Sequence, residues 1–196
     1  MLGDAMKMTR NSKPAILIVD DSQDYAEMIS AIISETFTRQ TFTANDAHSA
    51  LSIVDDVQTR GEFSIDAVIS DIHMPGMSGH DFLKQLVSKG VYAPVIFVSG
   101  LSEVNLAIQA IRLSAFDYLT KPIKPEQLTE ATRLATLKGQ RLQEIACCLE
   151  ELHQKNNASA ATLSQKNEIN HLIDEVQKNW RMAYLLGLKN SNAAGE

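Results

Sequence analysis

The chain has 196 residues, 44% of them hydrophobic, and its 24 acidic against 18 basic side chains leave a net charge of −6. That length supports one well-buried domain plus a smaller element. No apolar stretch approaches the roughly 20 residues of a spanning helix and the first residues lack the apolar core of a signal peptide, so the expectation is a cytoplasmic protein with no membrane role. Acidic residues outnumber basic ones by 15 to 10 up to Lys124 and by 9 to 8 after it, a balance that argues against a nucleic-acid footprint.

Residues 1–13 are polar and aperiodic, a flexible leader. The run Ala15-Ile16-Leu17-Ile18-Val19 is short, apolar and β-branched, the mark of a strand covered on both faces, and it stops at Asp20-Asp21. Ser22 is placed to cap a helix with Tyr25, Ile29, Ile32 and Ile33 on its buried side, running to about Phe37. A weaker strand over Thr41–Thr43 follows, and Asn45 or Asp46 then caps a helix with Ala47, Ala50, Leu51 and Val54 inward that ends near Gly61. Asp66-Ala67-Val68-Ile69-Ser70 repeats the first pattern and stops at Asp71, before a turn built from Pro75, Gly76 and Gly79. Phe82, Leu83, Leu86 and Val87 mark the next helix, which ends at Gly90. Pro94–Val98 is another buried strand, closed by Ser99-Gly100; a helix with Val104, Ala107, Ile108 and Ile111 follows. A last strand, Ala115–Leu119, leads into Thr120-Lys121-Pro122. Strands alternating with helices at short intervals predict one doubly wound parallel α/β sheet with helices on both faces.

In such sheets a site forms beyond the C-terminal ends of the strands. The residues there are Asp20, Asp21, Asp71, Ser99 and Lys121. Singly, each has an ordinary reading: Asp20-Asp21 as helix-capping acids, Met74-Pro75-Gly76 as a turn, Lys121-Pro122 as an extended link. Together, at successive strand ends, they suggest one chemistry. Crowded carboxylates repel unless a cation neutralises them, and an all-oxygen donor set suits Mg²⁺. With the metal, an aspartate becomes a nucleophile towards a phosphoryl group, with Lys121 a mobile charge on one phosphate oxygen and Ser99 a donor to another.

These residues resemble the receiver domain of two-component response regulators over about Pro14 to Lys124. The likeness rests on Asp20-Asp21, Asp71-x-x-Met74-Pro75-Gly76-Met77-Ser78-Gly79, Ser99-Gly100 and Tyr118-Leu119-Thr120-Lys121-Pro122. It implies a flavodoxin-like, five-stranded sheet of order 2-1-3-4-5. It also implies that Asp71 accepts phosphate from a sensor histidine kinase or phosphotransfer protein, and that Asp20, Asp21, Asp71 and the backbone carbonyl of His73 hold Mg²⁺. Lys121 would contact the phosphate, while Ser99 and Tyr118 would form a switch pair whose hydroxyl and ring move together. Two positions depart from the family pattern: His73, read as a solvated rim side chain, and Ser114-Ala115 in place of the frequent Gly-Ala.

Beyond the receiver at 14–124, residues 125–189 form an all-α extension. Leu128, Ala131, Ala135, Lys138, Leu142, Ile145, Leu149 and Leu152 recur at spacings of three and four, a heptad pattern over a helix of about 125–155. Gly139 lies within the helix, and Lys138 interrupts the seam. Cys147 and Cys148 sit adjacent in this helix, where they can hardly bridge each other. After Asn156-Asn157-Ala158-Ser159 a second helix over about 160–187 carries Ile169, Ile173, Val176, Trp180 and Ala183, and 190–196 is a disordered tail. His153 and His171 read as solvated helix positions. These stripes need a partner: an internal hairpin, or a homodimer through Leu142, Ile145, Leu149, Leu152 and Trp180. The expectation is therefore a phosphorylated response regulator, not an enzyme with its own output, that signals through dimerisation or a downstream protein. The alternatives are a transcriptional regulator with an atypical helical nucleic-acid-binding output, or a regulator of a partner phosphatase or kinase.

Overall fold

The computed structural model describes residues 12–91, 93–100, 115–158, 163, 165–167 and 170–171. Strand β1 (Lys13–Val19) is followed by helix α1 (Gln23–Thr36), β2 (Gln40–Ala44), α2 (Ala47–Arg60), β3 (Phe63–Asp71), α3 (Gly79–Ser88), β4 (Val95–Ser99), β5 (Asp117–Thr120) and the long helix α4 (Pro125–Ala158). The strands form one parallel sheet of order β2-β1-β3-β4-β5, the order implied by the resemblance. Ser22 and Asp46 cap α1 and α2 through their side chains, and Gly61 closes α2 in the left-handed region at φ 66°, a conformation that costs a glycine nothing. The helix expected to carry Val104, Ala107, Ile108 and Ile111 lies outside the described residues.

Alternation along the strands divides the core in two. Leu17, Val19, Val68, Val95 and Phe97 point to the face covered by α2 and α3. Ile16, Ile18, Ala67, Ile69, Ile96, Val98 and Leu119 point to the other, where α1 offers Ala26, Ile29 and Ile33 and α4 offers Leu128, Ala131 and Ala135. This last set corrects the heptad reading: its first three apolar positions fill the receiver core instead of waiting for a partner helix. A cut after Lys124 would strip them from the sheet, so the folding unit runs past that boundary into α4.

The start of β3 also differs from its expected range, opening at Phe63 and carrying a bulge. Ala15 pairs with Ile65 and Ile16 with Ala67, which leaves Asp66 out of the ladder. Asp66 is buried and ion-paired with Arg39. Directly over it lies Gly139 of α4, where an added Cβ would fall on the Asp66 carbonyl. Next to this contact Gln143 donates from Nε2 to the Ile65 carbonyl at 2.8 Å and accepts from the Ser64 hydroxyl. α4 is thus fastened at the edge of the sheet opposite the ends of β1 and β3.

Burial pushes the Asp66 carboxyl up from 3.8 to about 6, against the pull of Arg39. A raised folded-state value means that the native protein binds the proton more readily, so this group adds stability as pH falls from 7 towards 4. Between pH 7 and pH 5 the gain is about 1 kcal/mol. It should appear as a rise in the wild-type urea midpoint from pH 7 to pH 5 that exceeds the change in Asp66→Asn, whose own pH dependence lacks this component.

Candidate functional site

On one edge of the sheet the buried runs of β1, β3 and β4 end at Asp20-Asp21, Asp71 and Ser99, and β5 leads into Lys121. At the end of β1, Asp20 is 1% exposed. Its backbone N–H donates to the Ala44 carbonyl at 3.1 Å, and its Oδ1 accepts from the Ser22 N–H at 3.0 Å. The neighbouring Asp21 is exposed. At the end of β3, Asp71 is 7% exposed and its Oδ1 accepts from the His73 N–H at 2.8 Å. Ser99 is fully buried at the end of β4, and its carbonyl accepts from the Lys121 N–H at 2.8 Å. That bond carries the chain from β5 across to the site.

The Lys121 ammonium joins the two buried acids, 2.7 Å from Asp20 Oδ2 and 2.7 Å from Asp71 Oδ2. It also lies 4.4 Å from the centroid of the Tyr25 ring, so α1 contributes a contact that the sequence reading missed. Burial alone would lower the affinity of this amine for its proton. The hydrogen bonds to Asp20 and Asp71 outweigh that effect and raise it above the ordinary lysine value. Lys121 is therefore held as a cation between two carboxylates, in the place where a further anion would meet it.

The loop after β3 is shaped by two glycines. Gly76 has φ +82°, which strains any other residue. Gly79 opens α3 so close to β3 that a Cβ would sit 2.6 Å from the Asp71 carbonyl and 3.0 Å from the Phe97 ring. Ser78 caps α3, accepting from the Asp81 N–H at 3.2 Å. The turn read from Pro75 to Gly79 thus holds the backbone of Asp71 from below.

Carboxylate oxygens of Asp20, Asp21 and Asp71 lie within 4.8 Å of one another. Three oxygen donors, one of them solvent-exposed, fit a hard cation that keeps several waters, as Mg²⁺ does. The structure brings together Asp20, Asp21, Asp71 and Lys121, and sets Ser99 at the adjoining strand end. Tyr118 is half-buried on β5, and the His73 side chain is exposed at the rim, as read. The proposed interface residues are elsewhere. Leu142 is half-buried, Ile145 and Leu152 are exposed, and the Leu149 side chain and Trp180 lie outside the described residues. No helix among the described residues is long and apolar enough to cross a membrane.

A family model described as the response regulator receiver domain matches residues 16–133. The response regulator protein TmoT of Ectopseudomonas mendocina is 31% identical over 158 residues, covering 81% of this chain and 67% of that protein. The C4-dicarboxylate transport transcriptional regulatory protein DctD of Rhizobium meliloti (strain 1021) is 28% identical over 134 residues, covering 68% of this chain but 28% of that protein. Among solved structures, the signal receiver domain of an HD domain-containing protein from Pseudomonas fluorescens Pf-5 superposes with a TM-score of 0.59 at 26% identity, covering 69% of this chain and 96% of that one.

Proposed function

The chain belongs to the response regulator receiver family, and from that membership we propose that Asp71 is the acceptor of a phosphoryl group in a two-component phosphorelay. The observation that carries this reading is the Lys121 ammonium shared between Asp20 and Asp71 at 2.7 Å each, beside the exposed Asp21. A carboxylate oxygen of Asp71 attacks phosphorus, an O–P bond forms, and the P–N bond of a phosphohistidine donor breaks as its imidazole leaves with a proton. The hydrogen bond from the His73 N–H fixes the orientation of the carboxylate, leaving its other oxygen towards Lys121. As the phosphate arrives, Lys121 turns from the Asp71 carboxylate to a phosphate oxygen. Mg²⁺, held by Asp20, Asp21, Asp71 and the His73 carbonyl, would offset the charge of the transferring group. Ser99 and Tyr118 are the switch pair in this reading. The chain takes up phosphate without turning over a separate substrate, and signals through dimerisation or protein contacts of the helical extension.

Incubation with acetyl phosphate and Mg²⁺ tests the proposal by intact mass. One phosphoryl group should add, be lost on treatment with hydroxylamine, and fail to add when EDTA removes the metal. Labelling undiminished by EDTA would sink the metal assignment, and no labelling from acetyl phosphate or from a phosphorylated kinase would sink the acceptor.

A second reading draws on DctD, which is named a transcriptional regulatory protein and of which this chain spans 28%. The expectation against nucleic acid is not supported beside such a relative. Charge on a receiver reports on the switch, and an output of another kind can reside in the rest of a longer protein. Binding to duplex DNA that weakens steeply with salt would favour this reading.

A further inference from the structure

Beyond Gln143, α4 leaves the sheet and continues for about 22 Å at 1.5 Å per residue. Its surface there is divided. Leu142 and Ala146 are half-buried and Asn156 is 7% exposed, whereas Ile145 is 44% exposed, Leu152 is 53% exposed and Cys148 is exposed. Positions 142, 146, 149, 153 and 156 follow one another at steps of four and three, a single stripe. It continues the face that α4 presents to the sheet, and it is not the stripe through Ile145 and Leu152 that the sequence suggested.

Asn156, at the end of this stripe, shows what meets it. Its Nδ2 donates to the Lys166 carbonyl and to Asn170 Oδ1, both at 2.9 Å. Asn170 Nδ2 donates to Asn157 Oδ1 at 3.0 Å, and Lys166 Nζ donates to the Asn157 carbonyl at 2.8 Å. The described residues of 163–171 are helical. A buried asparagine bonded to a half-buried one on the facing helix fixes their register, because any slip leaves amides unpaired.

We propose that the segment Ile173–Ala183 of this same chain returns antiparallel along α4 and covers the stripe at 142, 146, 149 and 153, making the extension an intramolecular helical hairpin. Antiparallel helices advance by equal rises, so the rest of the register follows from Asn156 opposite Asn170. Three residues back on α4 and three forward on the return bring position 153 to Ile173. Further steps bring 149 to Val176, Ala146 to Trp180, and Leu142 to Ala183. The bulkiest side chain of the return meets one of the smallest on α4. The lengths agree too: from Asn157 back to Gln143 is about 21 Å, and from Asn170 on to Ala183 about 20 Å. The return stripe therefore ends where α4 meets the base of the sheet at Ser64 and Ile65. The hairpin does not depend on phosphorylation of Asp71. It leaves Ile145, Cys148 and Leu152 as the face available to a downstream partner or a second copy.

Disulfide capture tests the register in the full chain with Cys147→Ser and Cys148→Ser. His153→Cys together with Ile173→Cys should close an intramolecular bridge whose yield is unchanged by hundredfold dilution. The control pair Leu152→Cys with Ile173→Cys, displaced about 100° around α4, should not close. A bridged dimer from the first pair that vanishes on dilution gives this face to a second copy and overturns the hairpin. No bridge, or equal yields from both pairs, overturns it as well. Trp180, the sole tryptophan, supplies a second measurement. Its emission should be that of a buried indole and move to the red in Ala146→Asp while acetyl phosphate labelling persists; solvent-like emission in the unmutated chain would refute the pairing.

Discussion

Asp71→Asn should abolish labelling by acetyl phosphate while leaving the fold in place. The substitution is nearly isosteric, and the amide oxygen can still accept from the His73 N–H, now at 2.8 Å from Asp71 Oδ1. Lys121 keeps Asp20 as a partner at 2.7 Å. What is lost is the anionic oxygen that faces the ammonium. An amide nitrogen in its place is a donor set against a donor, with no lone pair free to attack phosphorus. The stability change combines a lost charge-assisted hydrogen bond of about 1.5 to 3 kcal/mol with relief of the repulsion between Asp20 and Asp71, two opposing effects that leave a small remainder. Asp20→Asn provides the contrast. It keeps the nucleophile and removes one metal-binding carboxylate, so labelling should be slowed instead of lost, and more Mg²⁺ should restore part of it. Intact mass against time measures both. Label retained in Asp71→Asn would move the acceptor to Asp20 or Asp21.

The residues of this site were legible because the strands are covered on both faces. Ala15–Val19 and Ala67–Ser70 are uninterrupted buried runs, so the first carboxylate after each marks the sheet edge, and the parallel arrangement places all such ends together. Lys121 could be assigned to that edge by the same rule, but its contact with Tyr25 could not, since it depends on the packing of α1 across the end of β1. The long helix was read less well for a related reason. Over three turns, a face that packs on a sheet and a heptad face that packs on a partner helix have almost the same spacing. Leu128, Ala131 and Ala135 fit both, and only the sheet beneath them decides. Lys138, read as a break in the pattern, lies exposed with its ammonium 5.5 Å from the Phe116 ring centroid. The Asp66 bulge left no pattern in the sequence, because an inserted residue changes the pairing of β3 with β1 without changing its composition.

That bulge reverses the expected sign of a substitution in α4, and this gives the second large effect. Read from the sequence, Gly139→Ala removes a glycine from a helix interior and should stabilise by about 1 kcal/mol. In the folded protein the new Cβ falls on the Asp66 carbonyl. The obstacle is backbone, held by the flanking ladder pairs of β3 with β1 and by the ion pair of Asp66 with Arg39, so it cannot turn aside as a side chain would. Overpacking of this kind costs about 1 to 3 kcal/mol or more. Since the strand does not give, α4 has to lift, and lifting it also separates Gln143 from Ser64 and Ile65. The net outcome should be destabilisation by about 2 kcal/mol despite the helix-propensity gain, measured as a lower urea midpoint by far-ultraviolet circular dichroism. Gly139→Ser should behave in the same way, because the clash belongs to Cβ and not to what lies beyond it. A raised midpoint in Gly139→Ala would mean that α4 does not bear on β3 at Asp66, and the helix would then be free to leave the receiver just after Ala135, about two turns earlier than Gln143.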